Sequence, residues 1–489
     1  MDFFDPQKQK EHSIRLAVGY GLIAVILILA TTIMLYWARG FGLDKNGRII
    51  QNGLVFVSST PEDGVVYVNG KKYKDLTNTR LNIPDGQYTL DVKKDGYRTW
   101  SRAVSVRGGD LERLNYALLF PTKLQATAVK QYAAAPALFT QSPDRRWLLS
   151  GSGQDAFDLF DLKDSTPVPR LVQVPTDILA AGSTTTSWAV VEWADDNRHV
   201  LLRRAYDALG LPGSEYILFD RGNPAESQNL SVLLGFTPTA IELRDGAFDT
   251  YYAFDQASGQ LFTASLKRPT PQPYIRDVLA FASQDDAVLF VTAAGAPAGT
   301  VQAKLQRGGD TPYTLRQLAP GPYLLDLGLY KNKLYAAISA QSENRAYIFK
   351  DPVAVLKAHP DDPLIPVQLL KITGPTHLKF SAQNDRFMAV QSGDRFAVYD
   401  AETKRAYYYQ ATLPLDAPQT HATWLDGFRL TYVSGGKQTI MDYDGINAQG
   451  LSPAQSIYLP SITPDNRFMY TLNAQNGLTR TPLRTPSDL

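Results

Sequence analysis

The sequence predicts an all-β protein carried behind one membrane-spanning helix. Three observations predict it. There is one long uncharged apolar run near the N-terminus. Short apolar runs broken by Gly, Asn, Asp and Pro turns fill the chain after it, and no long helix-period segment follows. With 489 residues, the chain is long enough for about two to four domains, or one large repeat array with additions. A composition of 44% hydrophobic and 20% charged residues belongs to a folded chain. Lys and Arg number 49 against 48 Asp and Glu, so the net charge of +1 gives no global attraction to nucleic acid. Cysteine is absent, which excludes disulfides, thiolate metal sites and cysteine nucleophiles.

Residues 16–37 read LAVGYGLIAVILILATTIMLYW, 22 positions without a charge. At 1.5 Å per residue this run spans a hydrocarbon core of roughly 30 Å. Tyr36 and Trp37 stand where an interfacial aromatic belt belongs. A cleavable signal peptide has a shorter apolar core, about 7–15 residues, ending at a small-x-small site. Here the run passes through Leu35-Tyr36-Trp37 into Ala38-Arg39-Gly40, so an uncleaved anchor is expected. Lys8, Lys10 and Arg15 before the run balance Arg39, Lys45 and Arg48 after it, leaving the charge rule silent on orientation. The short tail favours a cytoplasmic N-terminus with the bulk of the chain outside the plasma membrane. No second run of this length occurs, so a single pass is expected. Residues 1–15 are a polar tail. Residues 38–52, with Gly40, Gly42, Asn46-Gly47 and Asn52-Gly53, read as a flexible stalk.

Residues 53–120 form a small β domain by the same logic. Leu54–Val57 and Val65–Val68 are apolar runs around the turn 59–64, and Asn69-Gly70 is a hairpin signal because both central positions favour positive φ. Pro84-Asp85-Gly86, Asp95-Gly96 and Gly108-Gly109 mark further turns. Tyr67, Tyr88, Tyr97 and Trp100 are expected as packing residues. The order S-T-P-E-D-G-V-V-Y-V-N-G, then I-P-D-G-Q-Y-T-L, then K-D-G-Y-R-T-W resembles a PEGA domain, with Pro61-Glu62-Asp63-Gly64 in place of Pro-Glu-Gly-Ala. The resemblance implies a small surface-associated β module of bacterial or archaeal envelope proteins, and it implies no catalytic residue.

From residue 123 a unit recurs: an apolar run, a polar turn, a second apolar run. Asp144, Asp196, Asp245, Asp285, Asn332, Asp385, Asp426 and Asp465 mark it, spaced 39 to 53 residues apart. The mean of about 46 is the length of a four-stranded propeller blade. Eight markers give a β-propeller over 123–489 with eight blades, seven being the alternative. The last unit offers only three strands, and residues 126–132 are placed to supply its fourth and close the ring. Ser142-Pro143-Asp144-Arg145, Thr463-Pro464-Asp465-Asn466 and Asp442-Tyr443-Asp444-Gly445 resemble the repeats of TolB-type propellers. That resemblance places the first two motifs between first and second strands, the third between third and fourth, and implies a protein-interaction platform. Residues 205–215 and 351–366 read as longer loops, the second with a helical turn at 353–359.

No catalytic motif emerges. His12, His199, His359, His377 and His421 make no H-x-x-x-H pair and no ligand spacing with a carboxylate. Gly435-Gly436-Lys437 lacks phosphate-loop spacing and reads as a hairpin turn. The stretch starting at Asp442 lacks the Glu of a calcium loop at its twelfth position, where Pro453 stands. Asp195-Asp196, Asp285-Asp286 and Asp361-Asp362 fall in turns, where Asp bonds its own backbone. Two of Tyr407, Tyr408 and Tyr409 share one strand face. No catalytic, cofactor or metal residue is assigned, and no ligand-binding residue is identified. The expected function is a non-enzymatic, membrane-anchored envelope protein that presents a propeller to a protein or cell-wall glycan. The alternative is an extracytoplasmic glycan lyase or hydrolase working in the propeller channel.

Overall fold

A helix from Pro6 to Ala38 starts the described chain, with Pro at its first position, where a missing N–H costs nothing. The computed structural model describes residues 6–38, 41–43, 49–151, 153–164, 166–359, 362–417 and 420–488. Ser13–Tyr36 is the one described helix long and apolar enough to cross a membrane, and none of it is buried against protein. The helix runs past the expected 16–37 at both ends, because nothing in the polar stretch after Pro6 breaks it.

The chain divides into two units. The first holds Met1–Lys123 together with Arg484–Leu489, and the second holds Leu124–Leu483. In the first unit the long strand Ile49–Thr60 pairs antiparallel with Thr79–Pro84 on one side and parallel with Leu111–Leu118 on the other. A second sheet has the order 71–76, 65–68, 86–93, 100–106. Asn69 and Gly70 both take positive φ, 48° and 75°, as the two-residue hairpin requires. Val55, Val57, Val66, Leu81, Leu90 and Leu114 form the core, with Trp100 edge-on to Tyr116 at 5.7 Å. Tyr97 and Trp100 are buried as expected, while Tyr67 and Tyr88 are half-buried.

Two expectations are corrected here. The stretch 38–52 is not open chain over its described part: Phe41–Leu43 pairs with Ile49–Gln51, and 39–40 and 44–48 lie outside the described residues. The strand simply continues upstream of Gly53, since Ile49-Ile50 carry the same β-branched pattern. The propeller also does not extend to 489. Asp488 accepts a hydrogen bond from the Tyr97 hydroxyl at 2.7 Å and pairs with Lys94 at 3.1 Å, and the Tyr97 hydroxyl in turn accepts from the Thr485 N–H at 2.8 Å.

The second unit is a β-propeller built from four-stranded antiparallel sheets, eight of them among its described residues. We number them 1 to 8 in chain order. All eight sequence markers fall in the turn between the first and second strand of their sheet. Several of these turns need a residue in the left-handed region, supplied at Arg145, Asn197, Asp245, Asp285, Asn332, Asp385 and Asn466. Thr127–Gln131 is the outer strand of sheet 8, paired with Gly477–Pro482, so strands from both ends of the unit share one sheet. Apolar side chains fill the spaces between successive sheets. Phe157 of sheet 1 packs edge-on to Trp188 and Phe219 of sheet 2, and Leu148 and Phe160 of sheet 1 meet Tyr470 and Leu478 of sheet 8. Sheets 1 and 8 also exchange hydrogen bonds: the Gln141 amide donates to the Ile462 carbonyl at 2.9 Å and accepts from its N–H at 3.1 Å.

A further repeat emerges only in three dimensions. An ion pair ties the start of the second strand to the end of the third: Arg146–Asp161, Arg198–Asp220, Lys333–Asp351 and Arg386–Asp400. Sheet 4 keeps the pair with its charges exchanged, as Asp286–Arg307 at 2.9 Å. Two readings of the longer segments change as well. Residues 205–215 are not a loop: the strands His199–Ala208 and Leu211–Asp220 run on as one hairpin, turning at Leu209-Gly210 with φ 56° and 84°. A short helix, Pro352–Ala358, occupies the expected helical turn, and Pro360-Asp361 lie outside the described residues.

Candidate functional site

The hairpin of sheet 2 is the first candidate. Its first partner strand, Ser183–Trp193, follows it to Ala208, but the outer strand Gln228–Asn229 pairs only with Ile217 and Leu218. No fourth strand pairs with 211–216: Ser231 accepts from the Tyr216 N–H at 3.0 Å, Thr237 donates to the Ser214 carbonyl at 3.3 Å, and Pro212 removes a donor nearer the tip, which discourages strand addition. The base of the hairpin is locked. Arg204 and Glu215 are both buried and pair at 2.6 Å. Asn229 donates to the other Glu215 oxygen at 2.6 Å, and Arg204 donates to Thr185 and Ser183 at 2.6 and 3.0 Å. Thr185 in turn bonds Asp155 of sheet 1. A buried ion pair repays its desolvation only when its remaining donors and acceptors are met, and here these partners meet them. Above the base, the Tyr206 ring lies on Gly213, where a Cβ would stand 2.4 Å from the ring. At the tip, Leu209 and Leu211 are 98% and 71% exposed. A rigid stem therefore carries an apolar tip into solvent.

The second candidate is the central cavity, about 660 Å³, lined by the first strands of sheets 2 to 6. Each of its inner carboxylates reaches to the next sheet. Glu192 accepts from the Leu243 N–H at 2.9 Å, and Glu242 accepts from the Ser283 hydroxyl at 2.6 Å. Asp326 accepts from the Phe380 N–H at 2.7 Å and pairs with Lys379 at 2.6 Å. Gly328 permits the approach of sheets 5 and 6, since a Cβ there would stand 2.7 Å from the Phe380 ring. Burial lifts Glu242 to about 7, helped by the neighbouring charge of Glu192 and opposed by Ser283. Burial also raises Glu192, and raises Asp385 to about 6. Lys379 loses hydration in the cavity, but the carboxylates of Asp326, Glu242 and Asp385 outweigh that and hold it protonated. Its side chain lines the cavity and is 59% exposed.

The structure brings together histidines that the sequence does not connect. The rings of His377 and His421 stack at 4.5 Å, and burial, with His421 and Lys379 nearby, depresses His377 to about 4. His199 sits 2.6 Å from Asp196 and stacks on Phe248 at 4.0 Å, a carboxylate contact the spacing does not announce. His359 lies at the end of the short helix. Gly435-Gly436 forms the expected hairpin turn, both residues at positive φ. Asp442 accepts from the Asn447 amide at 2.8 Å, closing a turn. Tyr409 stacks on Phe396 and bonds the Tyr443 carbonyl, which leaves Tyr408 as the exposed ring of its triplet. The set of channel carboxylates was not singled out from the sequence, because its members lie on strands one or two repeats apart. The signal that finds them is the acidic residue on the inner strands of sheets 2, 3 and 5 once those strands are known.

The PEGA domain family matches residues 52–119. No curated protein sequence matches the chain. Among solved structures, the second unit's fold is similar to the C-terminal WD40 domain of Sif2, at 12% identity and a TM-score of 0.45 over 74% of this chain and 99% of that one. The computationally designed Ika8 protein matches at 12% identity and 0.41, covering 73% and 98%. The uncharacterized protein lmo1340 from Listeria monocytogenes EGD-e matches at 12% identity and 0.40, covering 66% and 90%.

Proposed function

We propose that this chain is a membrane-anchored, non-enzymatic scaffold whose propeller binds a protein partner through the apolar tip of the sheet 2 hairpin. The observation that carries this reading is the contrast within the hairpin: Arg204 and Glu215 fix the stem, and Leu209 and Leu211 are left in water. Exposed apolar groups on a preorganised support lose little entropy on binding. Helix 13–36 anchors the chain in the plasma membrane, the N-terminus is cytoplasmic, and the bulk of the chain faces the cell envelope. The PEGA-like domain, bounded near 53–120, follows the helix along the chain. A photo-crosslinking amino acid at Leu209, compared with one at exposed Ile365, tests the partner site in intact cells. A discrete adduct from Leu209 that disappears on Leu211→Asp supports it, while equal labelling from both positions sinks it. Protease treatment of intact and wall-stripped cells carrying tags at both ends tests the topology. A C-terminal tag that survives both treatments would place the propeller in the cytoplasm.

A second reading keeps the cavity as an enzyme site for a glycan lyase or hydrolase. It is favoured by Glu242, which is half protonated near neutrality beside the Ser283 hydroxyl and the cation of Lys379. Loss of a glycan-cleaving activity in Glu242→Gln, with the Leu209 adduct intact, would favour this reading.

A further inference from the structure

The first unit carries a cleft that neither the helix nor the propeller accounts for. The strand Ile49–Thr60 turns Val55, Val57 and Ser59 into the core and Leu54, Phe56 and Ser58 to the opposite face. Register then fixes the neighbours of Phe56: Arg80 stands beside it on one flanking strand and Arg113 on the other. Leu54 lies between Asn82 and Leu111 in the same way. Residues in register on adjacent strands share a face, so Arg80 and Arg113 stand on the same face as Phe56, Arg80 in the lining of the cleft and Arg113 beside it. The cleft over this face measures about 930 Å³ and is also lined by Tyr73 and Asn78.

The polar groups here are unspent. Arg80, Arg113, Asn78 and Asn82 have no side-chain hydrogen bond, ion pair or ring contact among the described residues. The pattern differs from that of the propeller, where Arg146, Arg198, Arg204 and Arg386 are each committed to a carboxylate. Two acids, Asp75 and Asp110, also line the cleft, and Asp75 lies 3.8 Å from Lys74. The face therefore presents free positive charge on both sides of an apolar floor. Guanidinium groups favour planar, bidentate pairing with carboxylate or phosphate, and amide side chains pair with hydroxyls. An aromatic face takes the C–H face of a sugar ring. The floor is the central strand of its sheet, with both edges already paired over 54–57, so it offers no free main chain for a peptide strand to join.

We propose that this cleft binds an anionic glycan, a sugar chain bearing carboxylate or phosphate groups, seated on Phe56 with its charges on Arg80 and Arg113 and its hydroxyls on Asn78 and Asn82. The site belongs to the first unit and does not depend on the propeller reading. The test is titration of the detergent-solubilised full chain with oligogalacturonate, with a phosphorylated mannan oligosaccharide, with neutral dextran and with polyglutamate. The expected result is binding of at least one anionic glycan, with polyglutamate and dextran much weaker. Arg80→Gln and Arg113→Gln should each weaken it about tenfold or more, the range for one charge-assisted contact. Phe56→Leu, which keeps an apolar floor but removes the ring, should weaken glycan binding at an unchanged melting temperature. A preference for the uronate or the phosphate sugar identifies the charge recognised. Failure of both anionic sugars to bind, polyglutamate binding as tightly as the sugars, or wild-type affinity in the arginine variants overturns the proposal.

Discussion

Arg386 grips Asp400 through two parallel hydrogen bonds, Nε to one carboxylate oxygen at 2.9 Å and Nη2 to the other at 2.8 Å, and the aspartate is fully buried. The pair fastens the second strand of sheet 6 to its third. Removing the cation leaves a buried charge held only by the Glu402 N–H and the Thr403 hydroxyl, so Arg386→Ala should cost about 3 kcal/mol of stability. The reversed pair of sheet 4 is about half exposed, and Arg307→Ala should cost about 0.5 kcal/mol or less. Denaturant unfolding of both variants, followed by tryptophan fluorescence, checks the contrast. Equal losses would show that the pairs act through something other than burial.

Glu242 and His377 pull the pH dependence in opposite directions. Glu242 titrates at about 7 in the folded protein, above its ordinary 4.5, so the fold binds its proton more tightly than the unfolded chain does. Its contribution is complete below about 4.5 and is lost as pH rises through 7. Glu242→Gln should therefore gain on the parent protein between pH 5 and pH 8.

His377 titrates at about 4, below its ordinary 6.5, because burial and His421 disfavour its charge. Its contribution is present above 6.5 and is lost as pH falls toward 4. His377→Gln should flatten the acid side of the stability profile and leave the alkaline side alone. Melting temperatures of parent and variant from pH 4 to 8 decide it, and parallel curves would refute the assignment.

Gly328 marks the closest approach of sheets 5 and 6. A methyl there would meet the Phe380 ring at 2.7 Å and the Asp385 Cβ at 3.0 Å. Gly328→Ala should cost about 1–3 kcal/mol by overpacking, although alanine suits a strand better than glycine does. A neutral or stabilising result in denaturant unfolding would show that the inner strands can part without loss.

The last residues hold the first unit. Deleting 484–489 removes the groups that meet the Tyr97 hydroxyl and Lys94. Faster amide exchange at residues 94–98, with exchange in the strand Ile49–Thr60 unchanged, is the expected outcome. Unchanged exchange at 94–98 would mean the turn is stable by itself.

The sequence by itself determined what local chemistry determines. The apolar run marks a helix long and apolar enough to cross a membrane, because a single segment satisfies its own backbone in lipid only by coiling. Asn69-Gly70 and the eight turn markers set strand ends, because such turns select Asn, Asp and Gly, either for a left-handed backbone, as at Asp245, Asp285, Asn332 and Asp385, or for a carboxylate that accepts the turn's own N–H, as at Asp144, Asp196, Asp426 and Asp465. Tertiary structure decided everything that joins distant repeats. Glu192, Glu242 and Asp326 look like ordinary strand acids until the sheets stand side by side, because their partners Leu243, Ser283 and Phe380 lie some 40 to 54 residues away. Arg80, Phe56 and Arg113 likewise come together only through strand register, and the contact between Asp488 and Tyr97 only through the return of the chain. Turn chemistry acts over a few bonds and is written in order along the chain. Burial, charge pairing and cavity shape act through space, and only the folded chain brings those groups within reach.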